Sequence, residues 1–254
     1  MTKYTENGFA KISNLFSFDE LKPIRDTISR IVYFQAKKSK LEYCLNGLSE
    51  EQYPHEGLIR ITKEDKEASR QIIDKIMVNS LVFNFTVQKK LLEVIKTYLH
   101  AEDIKDICFT NFHVRVDLPH EFKKEEEIFS LPWHQESNYF HKNVAKLSSI
   151  VVWVPLYECK ESDGCLEVIP GSHLLNEVKH SEKYMLPEQK KHLRTYIEDK
   201  YIDKSKSTFA EANEGDVYIN HFNLIHKSGI NVNNKVRYTL LIRASNTNAD
   251  DFII

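Results

Sequence analysis

Asn111-Phe112-His113-Val114-Arg115-Val116-Asp117-Leu118 alternates without a break between polar and apolar side chains. Successive side chains of a strand point to opposite faces, so this stretch reads as a strand with Phe112, Val114, Val116 and Leu118 on one side. Asn111, His113, Arg115 and Asp117 dress the other. It also marks where the chain changes character. Upstream the apolar period is helical: Ser17-Phe18-Asp19-Glu20 has the form of a capping box, and Leu21, Ile24, Ile28, Ile31 and Val32 follow as one stripe. Pro23 falls in the first turn, where a helix tolerates it. Two more helices are expected over residues 66–77 and 87–99. An extended segment at Gly8–Ile12 precedes them, and residues 43–62 read as loop with a short strand at Leu58-Ile59-Arg60-Ile61.

Downstream of Leu118 the pattern is one of strands and turns. After a charged loop, Lys123-Lys124-Glu125-Glu126-Glu127, the run Leu147–Leu156 is a buried strand, Ser162-Asp163-Gly164-Cys165 a turn, and Leu166–His173 a strand entering a proline-glycine corner. Strands return at residues 215–220, 224–226 and 236–243. Leu186–Lys200 interrupts them with a polar stretch that reads as a helix opened by Pro187, a candidate lid. Helices followed by a run of strands indicate a mainly β, α+β chain. The expected architecture is an antiparallel barrel or jelly roll (residues 105–245) with an N-terminal helical flank (17–100) and a helical insertion (180–205), all in one domain spanning 1–254.

Composition narrows the function classes. Lys and Arg number 35 against 37 Asp and Glu, a net charge of −2 with no basic block, which argues against nucleic acid or an anionic membrane as partner. No apolar leader is visible at the N-terminus, and no run approaches the ~18 apolar residues of a membrane span, so a cytoplasmic protein with a small-molecule substrate is expected. Cys44, Cys108, Cys159 and Cys165 form no CxxC pair, and free thiols are expected rather than a zinc ribbon or redox dithiol.

The chemistry is concentrated in Leu131-Pro132-Trp133-His134-Gln135-Glu136-Ser137-Asn138-Tyr139-Phe140. On a strand, His134 and Glu136 share a face and could hold one ion while Gln135 points away. A second histidine would complete the two-histidine, one-carboxylate triad of non-haem Fe(II) oxygenases. His141, His173, His180, His221 and His226 are all candidates; His226 is favoured because it ends one strand and a turn, Lys227-Ser228-Gly229, leads to the next. Arg237, among the apolar residues of that next strand, needs a partner if it faces inward, and a dicarboxylate cosubstrate would suit its planar fork. The bland alternatives are polar decoration for His134 and Glu136, a solvent-facing Arg237, and turn roles for His173 and His221.

Taken together these pieces resemble the phytanoyl-CoA dioxygenase family of Fe(II)/2-oxoglutarate oxygenases. The resemblance is carried by Asn7-Gly8-Phe9, Trp133-His134-Gln135-Glu136, Gly164-Cys165-Leu166-Glu167-Val168-Ile169-Pro170-Gly171-Ser172-His173, Gly215-Asp216-Val217, and His226 with Ser228, Asn231 and Arg237. It implies a double-stranded β-helix of cupin-like form, Fe(II) held by His134, Glu136 and His226, and use of dioxygen. It further implies that Arg237, with Ser228, binds the distal carboxylate of 2-oxoglutarate, that Trp153 lies beside it, and that Arg115 lines the same pocket. One position departs from the family: Glu136 stands where an aspartate is usual. The retained carboxylate speaks against halogenase chemistry and for hydroxylation with release of succinate and carbon dioxide. Tyr139 and Arg60 are the expected substrate contacts, and no coenzyme A site is recognisable. Two other readings remain: a catalytically silent ligand-binding member, and a metal-dependent isomerase or hydrolase on a cupin-like barrel.

Overall fold

Ser17 starts the helical layer. Its hydroxyl accepts from the Glu20 backbone N–H and the Glu20 carboxylate accepts from the Ser17 N–H at 2.8 Å, the reciprocal cap of α2 (Phe18–Lys38). The structure, a computed structural model, describes residues 2–122, 131–139, 148–186 and 191–252. Helices α1 (Thr2–Asn7), α3 (Leu58–Glu64), α4 (Lys66–Met77), α5 (Ser80–Thr86) and α6 (Lys89–Leu99) complete the described α-helices.

The main sheet has the order β1 (Phe9–Ile12), β8 (Val217–His221), β3 (Ser149–Pro155), β10 (Arg237–Asn246), β2 (Ile107–Asp117), and every pairing is antiparallel. A smaller sheet runs β7 (Thr208–Phe209), β4 (Leu166–Val168), β9 (His226–Ser228). Both faces of the main sheet are covered. Val114, Val152, Val154, Ile219, Leu240 and Ile242 pack against the helical stripe of Leu21, Ile24, Ile28 and Val32, forming the larger core. On the opposite face, Trp153 and Tyr218 meet Leu166 and Val168 of the smaller sheet. This is the sandwich expected of a jelly roll, with the helices on its outside.

Register fixes which residues enter the space between the sheets. Arg237 lies opposite Asp117, Thr239 opposite Arg115 and Pro155, Leu241 opposite His113 and Trp153, and Arg243 opposite Asn111 and Val151. The polar side of the alternating strand β2 therefore faces the barrel interior, and its apolar side faces the helices.

Two sequence expectations are corrected. Leu58–Ile61 is the start of α3, not a strand; a π-turn over Tyr53–Gly57 runs directly into it, and a four-residue apolar run has no period that separates buried helix from strand. The expected helical lid is instead a hairpin, β5 (His180–Leu186) paired with β6 (Lys191–Ile197). The β-formers Thr195-Tyr196-Ile197 pair with residues that begin at His180, outside the stretch read as helix. Ile197 N–H donates to Trp133 O at 2.8 Å, fastening the hairpin beside the stretch that carries His134. The charged loop at 123–127 lies outside the described residues. Among the described residues no helix is long and apolar enough to cross a membrane.

Candidate active site

His134 and His226 are joined through their backbones. His134 N–H donates to His226 O at 2.9 Å, and His226 N–H donates to His134 O at 3.0 Å, so this bridge sets the rings side by side with centroids 4.3 Å apart. Each ring donates Nδ1–H to a carbonyl, His134 to Pro132 O at 2.7 Å and His226 to Leu224 O at 2.9 Å. A carbonyl can only accept, so both Nε2 atoms carry lone pairs aimed at the same space. Glu136 closes the cluster: its Oε1 is 3.7 Å from His134 Nε2 and 3.6 Å from His226 Nε2. All three side chains are buried, and their ligand atoms lie within 4.8 Å of one another.

His134 and Glu136 do not share a strand, as the spacing alone had indicated. His134 is an isolated bridge residue, and Glu136 begins a 3-10 turn, Glu136–Tyr139. The intervening Gln135 does point away. Fully buried, it donates to Asn176 O and Asn223 O and accepts from Val178 N–H, which pins the segment from behind. Burial works against the charge on Glu136, but the two histidines facing it and the guanidinium of Arg243 hold its carboxyl well below the usual range. Burial, reinforced by His226, lowers the His134 pKa and keeps its ring neutral.

Arg237 faces the same interior from the first residue of β10 and is buried there. One guanidinium nitrogen pairs with Asp117, whose carboxylate also receives Arg115 Nε at 2.8 Å. Arg237 Nε and Nη1, and the hydroxyl of Thr239 on the same face, are buried with no partner among the described residues. Arg237 is thus neither solvent-facing nor dependent on a ligand for its only counter-charge; it keeps two donors in reserve.

Trp153 shares the interior face and meets Tyr218 edge-on. Ser228 is buried on the same side of β9 as His226. Tyr139 lies against His134, ring centroids 5.5 Å apart, at the exposed edge of the cluster. The Arg60 guanidinium pairs with Glu56 at 2.5 Å and donates to Asn46 O at 3.1 Å on the helical flank. The competing histidines are likewise accounted for. His173 donates to Thr5 O and packs at a tilt against His221, and His180 accepts from the Gln135 N–H. His141 lies outside the described residues.

Sequence reading missed Asp117, Thr239 and Arg243 as site residues. Arg243 Nε donates to Glu136 Oε2 at 2.6 Å. Their signal was parity: once Arg237 is assigned inward, Thr239, Leu241 and Arg243 must follow it.

A jelly roll with two imidazoles and a carboxylate converging in its interior has the form of a cupin-like barrel. The fold is that of EvdO2 from Micromonospora carbonacea var. aurantiaca in complex with 2-oxoglutarate (TM-score 0.58, 14% identity, 96% of this chain and 89% of that one). It is equally that of EctD from S. alaskensis (TM-score 0.59, 13% identity, 100% and 79%). The chain belongs to the phytanoyl-CoA dioxygenase family, PhyH, whose model matches residues 4–239. Among curated proteins it is similar to the peroxisomal phytanoyl-CoA dioxygenase of Bos taurus, 22% identical over 179 residues. That match spans 67% of this chain but only 45% of the relative's length.

Proposed function

We propose that this chain is a non-haem Fe(II)- and 2-oxoglutarate-dependent dioxygenase that hydroxylates an unactivated C–H bond of a small-molecule metabolite. Dioxygen would supply one oxygen atom to the product and one to succinate, with carbon dioxide released. The observation that carries this reading is the presence, in one interior, of the His134–Glu136–His226 cluster and the unpartnered donors of Arg237. Membership of a family named for a dioxygenase supports it, as does the fold shared with a protein solved with 2-oxoglutarate.

The residues fit the metal. His134 Nε2 is buried without a hydrogen-bond partner among the described residues, an expensive arrangement unless something accepts its lone pair. Two imidazoles and one carboxylate are a donor set suited to Fe(II), and they leave further positions open. Bound there, iron would supply the redox chemistry that couples dioxygen to 2-oxoglutarate.

The side chains do the rest. The Pro132 and Leu224 carbonyls hold the Nδ1 side of the two rings, so that Nε2 of each is the atom turned to the metal. The Arg237 Nε and Nη1 donors that Asp117 does not take can serve the distal carboxylate of the cosubstrate, and the Thr239 hydroxyl can add a further contact. Trp153 and Tyr218 wall the interior against water. Tyr139, next to His134 and within 3.5 Å of Thr195 Oγ1 on the hairpin, marks the edge over which a substrate would enter.

Turnover without substrate tests the reading. Protein loaded anaerobically with Fe(II) and 2-oxoglutarate, then given oxygen, is expected to release succinate slowly, whereas His134→Ala is not. No succinate above the His134→Ala background would overturn the assignment in favour of a silent or non-oxidative member.

A further inference from the structure

Arg243 reaches the candidate metal site from the same face of β10 as Arg237, yet nothing in the reading above uses it. We propose that Arg243 is a positioning residue for Glu136: it fixes one carboxylate oxygen so that the other faces the two imidazoles as a one-oxygen ligand. This rests on the metal-site reading of His134, Glu136 and His226.

The two oxygens of Glu136 are already divided. Oε2 accepts from Arg243 Nε at 2.6 Å, while Oε1 is the atom that lies 3.6 Å from His226 Nε2 and 3.7 Å from His134 Nε2. A carboxylate at the tip of a glutamate has one more rotatable bond than an aspartate, and Glu136 projects from a turn rather than a strand. Something must choose its rotamer. The aspartate usual in the family is one methylene shorter and has less to restrain.

Arg243 is suited to the task because it is itself fixed. Its backbone runs between β2 and β3, opposite Asn111 and Val151. Its guanidinium lies over the Tyr139 ring, 5.4 Å from the centroid, and the side chain is 15% exposed. A charge-assisted hydrogen bond at this depth is strong and directional. The positive charge of Arg243 repels a metal cation, so orientation and charge act in opposite directions at this residue. Two variants separate them.

Methionine matches the length of the arginine stem and offers no donor. Glutamine has its Nε2 the same number of bonds from Cα as Arg243 Nε, so it can donate to Glu136 Oε2 without a charge. Anaerobic Co(II) binding, measured by calorimetry and by the visible spectrum of the bound Co(II), is the readout, with wild type, Arg243→Met and Arg243→Gln compared. Arg243→Met is expected to weaken Co(II) about 10- to 100-fold and to alter the spectrum, the usual cost of losing a partner behind a metal ligand. Arg243→Gln is expected to stay within about threefold of wild type, well inside that range. Wild-type or tighter binding by Arg243→Met, or equal losses in both variants, would overturn the proposal. Failure of the wild type to bind Co(II) would overturn the metal-site reading and this inference together, so the two failures are distinct. Melting of the metal-free proteins reports folding. If Arg243→Met does not fold, Arg243→Gln decides alone: near wild-type affinity supports the assignment, and a loss of about tenfold or more, the range for a lost partner, refutes it.

Discussion

Arg237 shows what a single side chain contributes and how far its part could be read in advance. A buried guanidinium must be paired, and the sequence reading supplied a cosubstrate carboxylate for that purpose. The structure supplies Asp117 first, with Arg115 behind it, and still leaves Nε and Nη1 of Arg237 without partners among the described residues. Asp117 thus orients the guanidinium, whose remaining donors are available to a second carboxylate. Arg237→Ala is expected to raise the dissociation constant for 2-oxoglutarate more than about 30-fold, the loss typical of removing one partner of a buried charged pair, while metal binding in its absence changes little. Equilibrium titration of the metal-loaded protein measures this, and affinity close to wild type would remove Arg237 from the cosubstrate site. Asp117 could not have been assigned from sequence because its role depends on a cross-strand register, and register is a tertiary property. His226 could be favoured, because a histidine at a strand end before a turn is a local pattern. Its exchange of backbone hydrogen bonds with His134 could not, since 92 residues of sequence separate partners that nothing local connects.

At the scale of elements, the strands and the long helices were legible wherever the apolar period was clean. The capped α2, the helix over Lys66–Met77 and the alternating β2 all formed as their patterns require. The parity of β10 was ambiguous for a physical reason: both faces of the main sheet are buried, one under helices and one under the smaller sheet, so neither Arg237 nor Tyr238 is turned to solvent. The short apolar run at Leu58 and the polar hairpin at residues 180–197 were misread because neither contains enough periods to decide between helix and strand. Close approach between elements makes its own demand at Gly215. Its φ is +83°, and a Cβ there would meet Phe16 O at 1.9 Å, in the contact where Phe16 N–H donates to Gly215 O. Gly215→Ala is therefore expected to destabilise the protein by more than about 1 kcal/mol, because alanine cannot adopt that conformation without strain and the neighbour is backbone. Denaturant unfolding checks this, and an unchanged midpoint would show that the β1–β8 edge can shift to accept a side chain.

The whole molecule separates its tasks by layer. Helices cover one face of the main sheet and supply most of the apolar burial, which leaves the other face free to carry polar groups that a single core could not accommodate. Asn111, His113, Arg115, Asp117, Arg237, Thr239 and Arg243 all project into that second space, where the smaller sheet brings His226 and, through a backbone bridge, His134. The proposed ligand set lies at the His134–His226 bridge, and the Arg237 donors with no partner among the described residues lie on β10, the arrangement the proposed cosubstrate needs. The most direct test is an anaerobic titration of the protein with Fe(II) followed by 2-oxoglutarate, read in the visible region. A weak charge-transfer band that saturates at one equivalent of each, and that is lost in His226→Ala, is the result this account predicts. No band from wild-type protein carrying bound Fe(II), or an undiminished band in His226→Ala, would contradict it.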